Sequence, residues 1–275
     1  MKFSGSVEVS GKTVISRNIF SLDIVSPQIA SQASPGQFIQ VKIPGINSVL
    51  WPRPFSVRKI KDGIVTVSIK KCGKVTGLLY DINRGDRLYV TGPFGNGFIL
   101  PKMGRSIYLV AGGAGLPPLL FLCESILEKG YSPKLIHFYS GARYVEELFA
   151  NDELTSLGVH SVVTTDDGSY GIKGLVTEPF ANDLTKVHSG KDDLGPVIYG
   201  CGPMAMVKKV AEICHGLECY LSLEQLMPCG WGVCNGCAVK IKAGDSDNTE
   251  DEKGFRLARV CKEGPVFKAS ELIWD

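Results

Sequence analysis

The sequence predicts an α/β plus β fold, in which an antiparallel β-barrel precedes a doubly wound parallel-sheet domain and a small C-terminal segment. Three observations lead to this prediction. Short strands separated by turns fill the first part of the chain, strands alternate with helices in the middle, and four cysteines are grouped near the end. Because 275 residues suffice for two domains and an appendage, we place the boundaries at 1–101, 102–222 and 223–275.

Runs of β-branched or alternating residues predict the strands of the barrel, and turns rich in glycine, proline and aspartate separate them. The expected strands are 19–25, 38–43, 55–59, 64–69 and 87–90. Within residues 1–101, only 75–83 has the apolar spacing that indicates a helix.

Two places on this barrel carry groups suited to a phosphate. Residues 53–56 offer a guanidinium fork, an aromatic face and a hydroxyl on a strand that starts with prolines. Lys70 and Lys71 come just before the expected helix, and a helix N-terminus flanked by lysines attracts anions. Together they predict a bound pyrophosphate, although each place alone also fits an ordinary strand or turn.

The middle of the chain has the strand, glycine turn and helix order that a dinucleotide-binding loop requires. The strand is expected at 106–111 and the helix at 119–128. Gly113, Gly115 and Pro118 give the variant pattern G-x-G-x-x-P, in which the proline suits the first turn of a helix. The alternative is an ordinary turn of an α/β domain.

Further strands and helices alternate after this turn, which predicts a parallel, doubly wound sheet. The strands are expected at 135–139, 161–165, 197–199 and 219–223, and the helices at 145–157, 175–183 and 204–215. Ligands bind beyond the carboxyl ends of such strands. There, Asp166 could meet a ribose or belong to a solvated turn, and residues 200–203 could let a flat ring approach. Cys201 itself is expected to be a packing residue.

Cys229, Cys234 and Cys237 have the spacing C-x4-C-x2-C, and Cys261 follows at a distance. This spacing is typical of plant-type [2Fe-2S] proteins. Structural zinc, the alternative, usually takes its ligands as two short pairs. The ungrouped Cys72, Cys123, Cys214 and Cys219 are expected to be small apolar residues of the core.

Composition excludes several classes of function. The net charge is +2, so a nucleic-acid partner is not indicated, and no apolar run approaches the ~20 residues of a membrane span. The first residues alternate polar and apolar types, unlike a signal peptide. Nine cysteines without such a signal suggest the reducing cytoplasm.

The order of the parts has a chemical logic. A nicotinamide gives two electrons as hydride, whereas an iron–sulfur cluster accepts one at a time, and a flavin can link the two. The chain resembles the ferredoxin–NADP reductase superfamily, and most closely the electron-transfer subunits of two-component, NAD-dependent dihydroorotate dehydrogenases. The resemblance is carried by residues 53–56, 95–98, 112–119, 165–171, 173–177, 199–204, 222–224, 229–237 and 260–267.

The resemblance implies a set of cofactors, site residues and a partner. FAD would be held by Arg53, Pro54, Phe55, Ser56, Ile69, Lys70, Lys71, Val75 and Thr76, and NAD(H) by Gly113, Gly115, Cys201, Gly202 and Pro203. The [2Fe-2S] cluster would relay electrons to a subunit that holds FMN and oxidises dihydroorotate to orotate, within a heterotetramer. Arg143 could meet a 2′-phosphate, but the resemblance favours NADH.

The chain departs from this family in two places and leaves two alternatives open. Val75 stands where the family usually has a glycine before the threonine. The loop 238–260 looks long and acidic, with Asp245, Asp247, Glu250, Asp251 and Glu252, so residues 243–259 are interpreted as a solvated insertion or a contact to a different partner. One alternative is a reductase subunit for a hydrogenase, a sulfur reductase or a ferredoxin-dependent transhydrogenase. The other is an iron–sulfur redox sensor.

Overall fold

Six antiparallel strands close a barrel in the computed structural model of the protein, which describes residues 2–46, 50–187, 195–243 and 254–274. They are β1 (Phe3–Ser16), β2 (Ile19–Val25), β3 (Phe38–Lys42), β4 (Arg53–Lys61), β5 (Ile64–Lys70) and β6 (Arg87–Phe94). Their order around the barrel is β1-β2-β5-β4-β3-β6. The five expected strands are therefore confirmed within a few residues.

The long strand β1 is absent from the sequence-based expectation because serine and glycine interrupt its pattern. It nevertheless buries Val7 and Val9 in the barrel and pairs with both β2 and β6. A short helix, α1 (Pro27–Ala30), inserts Ile29 into the same core, so the expectation of a single helix in the barrel was wrong. The expected helix is α2 (Lys74–Tyr80).

A parallel sheet follows the barrel, with strand order β10-β9-β8-β7-β11-β12 among the described residues. The strands are β7 (Ile107–Gly112), β8 (Ile136–Ala142), β9 (His160–Thr165), β10 (Ile172–Lys173), β11 (Val197–Cys201) and β12 (Glu218–Ser222). All residues of β7 and β11 are buried, as expected for central strands covered on both faces.

Helices connect these strands. They are α3 (Leu116–Glu128), α4 (Asn151–Ser156), α5 (Thr177–Val187) and α6 (Met204–Ile213). The single helix expected at 145–157 was wrong, because a 3₁₀ turn (Val145–Glu147) precedes α4 and Ala150 has a left-handed φ of 65° between them. This break turns the Glu147 side chain inward, where it is buried.

The C-terminal segment contributes two structures. Strands β13 (Ala238–Lys242) and β14 (Phe255–Arg259) pair antiparallel, so the long loop expected over 238–260 is in part a two-stranded sheet. The acidic residues of the expected insertion lie outside the described residues. Strand β15 (Val266–Lys268) pairs antiparallel with β12 and so extends the parallel sheet. Within the described residues, no helix is long and apolar enough to span a membrane.

Candidate functional site

Residues 229–237, which we call the cysteine loop, lie along the chain between β12 and β13. In this loop and just beyond it, the thiol of Cys234 lies close enough to Cys229 to shift the pKa of the Cys229 thiol, and Cys237 does the same for Cys261. The second pair is buried, whereas Cys234 is exposed. The four predicted ligands are therefore brought together as two pairs.

Backbone N–H groups point at the sulfur atoms. The donor to Sγ distances are 3.4 Å for Trp231 to Cys229, 3.5 Å for Gly236 to Cys234 and 3.5 Å for Cys261 to Cys237. The loop reaches this form through left-handed residues, with φ of 70° at Gly230, 75° at Gly232 and 56° at Asn235.

The electrostatics favour the thiolate at Cys229, whereas burial and the neighbouring Cys237 raise the pKa of Cys261 to about 12. Burial opposes ionisation of Cys229, but the backbone N–H groups of Cys234, Val233 and Trp231 outweigh it and lower the pKa of the Cys229 thiol to about 6. Among the described residues, no three His, Cys, Asp or Glu side chains are placed to hold a single metal ion. Two thiol pairs with inward N–H donors do fit a two-iron cluster, which needs four thiolates shared between its irons.

A cleft of about 280 Å³ runs between the barrel and the sheet, and we call it the barrel cleft. The predicted residues in its wall are Pro54, Phe55, Ser56, Lys70, Thr76 and Cys201. They supply an aromatic face, two hydroxyls and a cation, which fit the ring and phosphates of a flavin nucleotide.

The other predicted barrel residues lie elsewhere. The Arg53 side chain donates from Nη1 to the carbonyl oxygens of Trp51 and Pro52, at 2.9 and 3.3 Å. The Lys71 ammonium lies 4.2 Å from the centre of the Tyr80 ring.

Two more of the residues predicted to hold FAD are buried, and Cys72, which was not among them, is exposed. Ile69 and Val75 pack into the barrel core, so only their backbone could face a ligand. Cys72, which the sequence places in the core, was wrongly assigned, because it is exposed and lines the barrel cleft. Thr76 Oγ1 accepts hydrogen bonds from the backbone N–H groups of Cys72 and Gly73, both at 3.0 Å, and so shapes this loop.

A second cleft, of about 570 Å³, opens at the carboxyl ends of the parallel strands, and we call it the sheet cleft. Gly113, Asp166 and Pro203, three of the residues predicted to bind NAD(H), line it. Gly115 and Gly202 have a different role from these lining residues. Because they lack a Cβ, the turn after β7 and the turn after β11 can come into contact. A Cβ on Gly115 would collide with the carbonyl group of Cys201, and one on Gly202 would lie 3.0 Å from the Gly112 nitrogen.

Cys201 is a packing residue, as predicted. It is buried, and burial raises the pKa of its thiol well above the usual range. Cys123, Cys214 and Cys219 are buried as expected too.

Sequence reasoning missed two carboxylates. Burial alone would raise the pKa of Glu147, but hydrogen bonds from Arg143, Lys70 and Tyr144 lower it to about 2. Lys70 Nζ lies 2.6 Å and Arg143 Nη2 lies 2.5 Å from Glu147 Oε1, so Arg143 is already paired. Burial raises the pKa of the Glu224 carboxyl. Glu147 had no detectable motif, whereas Glu224 lies in the conspicuous run 222–224.

The two clefts and the cysteine loop are neighbours. Lys70, Ala114 and Glu224 line both clefts. Met227 lines the barrel cleft and precedes Cys229 by two residues, while Gln40 of the barrel donates from Nε2 to the Met227 carbonyl at 3.2 Å. The sheet cleft therefore adjoins the barrel cleft, and the barrel cleft adjoins the segment that leads to the thiols.

Comparisons with known proteins agree with this arrangement. The iron-sulfur cluster binding domain of dihydroorotate dehydrogenase B matches residues 224–273, and the oxidoreductase NAD-binding domain matches residues 109–212. Among solved structures, one titled as an NADH-dependent reduced ferredoxin-NADP oxidoreductase superposes with a TM-score of 0.79 at 27% identity, covering 98% of this chain and 90% of that one. A ferredoxin NADP⁺ reductase from Neisseria gonorrhoeae shares the fold, with a TM-score of 0.63 at 18% identity, over 77% of this chain and 89% of that one.

Curated relatives cover most of the chain. Three of them carry the name "Dihydroorotate dehydrogenase B (NAD(+)), electron transfer subunit". The protein from Caldanaerobacter subterraneus subsp. tengcongensis is 36% identical to this chain over 87% of each, and that from Desulforamulus reducens is 32% identical over 95% of each. The relative in Geobacillus thermodenitrificans is 33% identical over 96% of each. The chain therefore belongs to the family of electron transfer subunits of dihydroorotate dehydrogenase B.

Proposed function

We propose that this chain passes electrons between NAD(H) and a partner flavoprotein through FAD and a [2Fe-2S] cluster, and that the partner oxidises dihydroorotate to orotate in pyrimidine biosynthesis. The observation that carries the proposal is the contiguity of the three sites. The sheet cleft shares Lys70, Ala114 and Glu224 with the barrel cleft, and Met227 links the barrel cleft to the cysteine loop.

The barrel cleft would hold FAD, which accepts two electrons and releases them singly. Phe55 would pack against the ring system, and Ser56 would donate a hydroxyl hydrogen bond. Thr76, whose hydroxyl already donates to the Gly73 carbonyl oxygen, would act by shaping the loop before α2. Lys70 would supply positive charge, although Glu147 already shares its ammonium. Arg53 would reach a phosphate only after leaving the carbonyl groups that it now binds. Backbone from Ile69 to Lys71 and at Val75 would complete the site.

The sheet cleft would hold the dinucleotide. Gly113 and Pro203 flank the two turns at the carboxyl ends of β7 and β11, where nucleotides bind in open α/β sheets. Asp166 would accept a hydrogen bond from a ribose hydroxyl. Gly115, Cys201 and Gly202 would act by keeping the turns in contact, so that the nicotinamide faces the barrel cleft.

The protein purified under anaerobic conditions tests this proposal. We expect two irons and two acid-labile sulfides per chain, FAD released on denaturation, and bleaching of the flavin by NADH. Cys234→Ser should remove iron without removing FAD, since the two sites share no ligand. Stoichiometric zinc, or a colourless protein, would contradict the cluster.

The identity of the partner needs a separate experiment. We infer an FMN-containing catalytic subunit in a heterotetramer, supported by the names of the relatives. The likeness to the NADH-dependent reduced ferredoxin-NADP oxidoreductase favours a second candidate, a subunit of a transhydrogenase. Co-purification from the native cell separates them, because dihydroorotate oxidation by the isolated complex is expected only for the first. A cytoplasmic location is also proposed, supported by nine free thiols.

A further inference from the structure

Arg259, the last residue of β14, joins the cysteine loop to the segment after Cys261. Its Nη1 donates to the Gly232 carbonyl oxygen at 2.6 Å. Its Nε and Nη2 donate to the two carboxylate oxygens of Glu263, at 3.0 and 2.5 Å, and its backbone N–H donates to the same carboxylate at 2.7 Å. The guanidinium is thus fixed as a fork between Glu263 and one carbonyl of the loop.

That carbonyl fixes the orientation of one N–H group. In a trans peptide the C=O and the following N–H point in opposite directions. Because Arg259 holds the Gly232 oxygen, the N–H of Val233 is turned away from Arg259 and toward Cys229, whose pKa it helps to lower. The anchor therefore fixes the Gly232–Val233 peptide beside the Cys229 and Cys234 pair.

Asn96, which follows the barrel strand β6, binds the segment that contains Glu263. Asn96 Nδ2 donates to the Glu263 carbonyl oxygen at 2.8 Å, and the Asn96 N–H donates to the Gly264 carbonyl oxygen at 2.5 Å. Glu263 is thus tied to the rigid barrel, and through Arg259 the position of the cysteine loop is tied to it as well.

We propose that Arg259 is a positioning residue of the iron–sulfur centre, which orients the Val233 N–H group toward the Cys229 sulfur and thereby raises the reduction potential. This inference rests on the proposed function, since it requires that a cluster is bound. Reduction by the flavin would add one electron to such a cluster and increase the negative charge on the sulfurs that Cys229 and its neighbours supply. Hydrogen bonds to those sulfurs stabilise that charge.

Lys262 provides a matched control for charge. Its side chain packs over Gly232, with Cδ 2.7 Å from the position that a Cβ on Gly232 would take. Within the part of the chain that the structure describes, its ammonium makes no hydrogen bond to the cysteine loop. Lys262→Gln therefore removes a positive charge near the same peptide and leaves the Arg259 anchor in place.

The test uses the full chain with its cofactors, prepared anaerobically as wild type, Arg259→Gln and Lys262→Gln. Iron and sulfide per chain are counted first, and the cluster is then titrated with dithionite and followed by EPR. At a fixed potential, we expect Arg259→Gln to lower the ratio of reduced to oxidised cluster about tenfold, which is about 59 mV for one electron, and to change the EPR line shape. Lys262→Gln should shift the reduction potential, in mV, by less than half of the shift that Arg259→Gln causes, and it should keep the EPR line shape.

A second variant, Glu263→Gln, disturbs the orientation of Arg259 without changing Arg259 itself. Glu263→Gln removes a negative charge, which by charge alone would raise the potential, but it breaks the fork that orients Arg259. We expect the potential to fall, and Arg259→Lys, which retains one donor, to give an intermediate value. Equal shifts in Arg259→Gln and Lys262→Gln, or a rise in Glu263→Gln, would overturn the inference. A wild type without iron would instead contradict the proposed function.

Discussion

Gly115→Ala is the sharpest test of how the sheet cleft is built. A Cβ at this position would lie 2.5 Å from the Gly202 nitrogen and closer still to the carbonyl carbon and oxygen of Cys201. Ordinary contacts of a Cβ begin at about 3.4 Å, so the two turns must separate by roughly 1 Å, and both are backbone that cannot rotate out of the way.

The size of the effect follows from this displacement. Overpacking of this kind costs about 1–3 kcal/mol, and for a domain of this size each kcal/mol lowers Tm by about 2–4 °C. The nicotinamide site should suffer more, since a misplacement of about 1 Å can slow a reaction on the order of a hundredfold. We expect a Tm lower by several degrees and NADH-dependent flavin bleaching slowed at least tenfold, measured by scanning calorimetry and stopped-flow absorbance.

Gly77→Ala is the matched control. Gly77 lies in α2, where the nearest atom to an added Cβ is 4.0 Å away, so alanine should raise helix stability by about 0.5–1 kcal/mol. The same substitution thus has opposite expected signs at the two sites. An unchanged Tm and an unchanged bleaching rate in Gly115→Ala would refute the close approach of the turns as the basis of the site.

Two further predictions concern Glu147, which lines the sheet cleft, and Thr76, which lines the barrel cleft. The pKa of Glu147 is depressed to about 2 in the folded chain, below its ordinary 4.5, so its stabilising effect is present above about pH 4.5 and is lost as the pH falls toward 2. The Tm difference between wild type and Glu147→Gln should therefore be largest near pH 6 and shrink below pH 4.5; a pH-independent difference would contradict the pairing. Thr76→Val removes the acceptor for two backbone N–H groups before α2, so we expect a loss of about 1 kcal/mol and weaker FAD retention on gel filtration, and unchanged retention would count against the site.

Much of the fold could be predicted from local sequence patterns. The strands of the barrel and sheet follow from alternation and β-branched runs, and Ile19–Val25 was predicted to the residue. The strand β1 was missed because eight of its fourteen positions are serine, glycine or charged, and its identity depends on pairing with residues far along the chain. The break before α4 was missed because the inward turn of Glu147 is stabilised by Lys70 from another part of the chain.

The candidate site shows the same division. The cysteine spacing predicted four thiols that the structure brings together, and the glycine turn predicted residues that line the sheet cleft. The roles of Gly115 and Gly202 were not predictable from spacing, since their closest neighbours belong to the facing turn. Arg259 carries no motif that sequence reasoning could detect, and its contact is a carbonyl 27 positions away. Glu263 lies in the run 260–267, but the sequence does not show that it binds Arg259. The assigned boundaries at 101 and 222 stay predictions, and β15 of the C-terminal segment pairs with β12 across the second of them.

That strand pairing bears on where the thiols lie relative to the barrel cleft. Leu223 donates its backbone N–H to the Pro265 carbonyl at 2.9 Å, and both residues line the barrel cleft. Cys229 follows Leu223 along one chain segment, and Cys261 precedes Pro265 along the other, so each thiol pair is reached by a short run of residues from the same cleft wall. The position of the thiols relative to the cleft therefore depends on the pairing of the C-terminal segment with the sheet, which no local sequence pattern specifies.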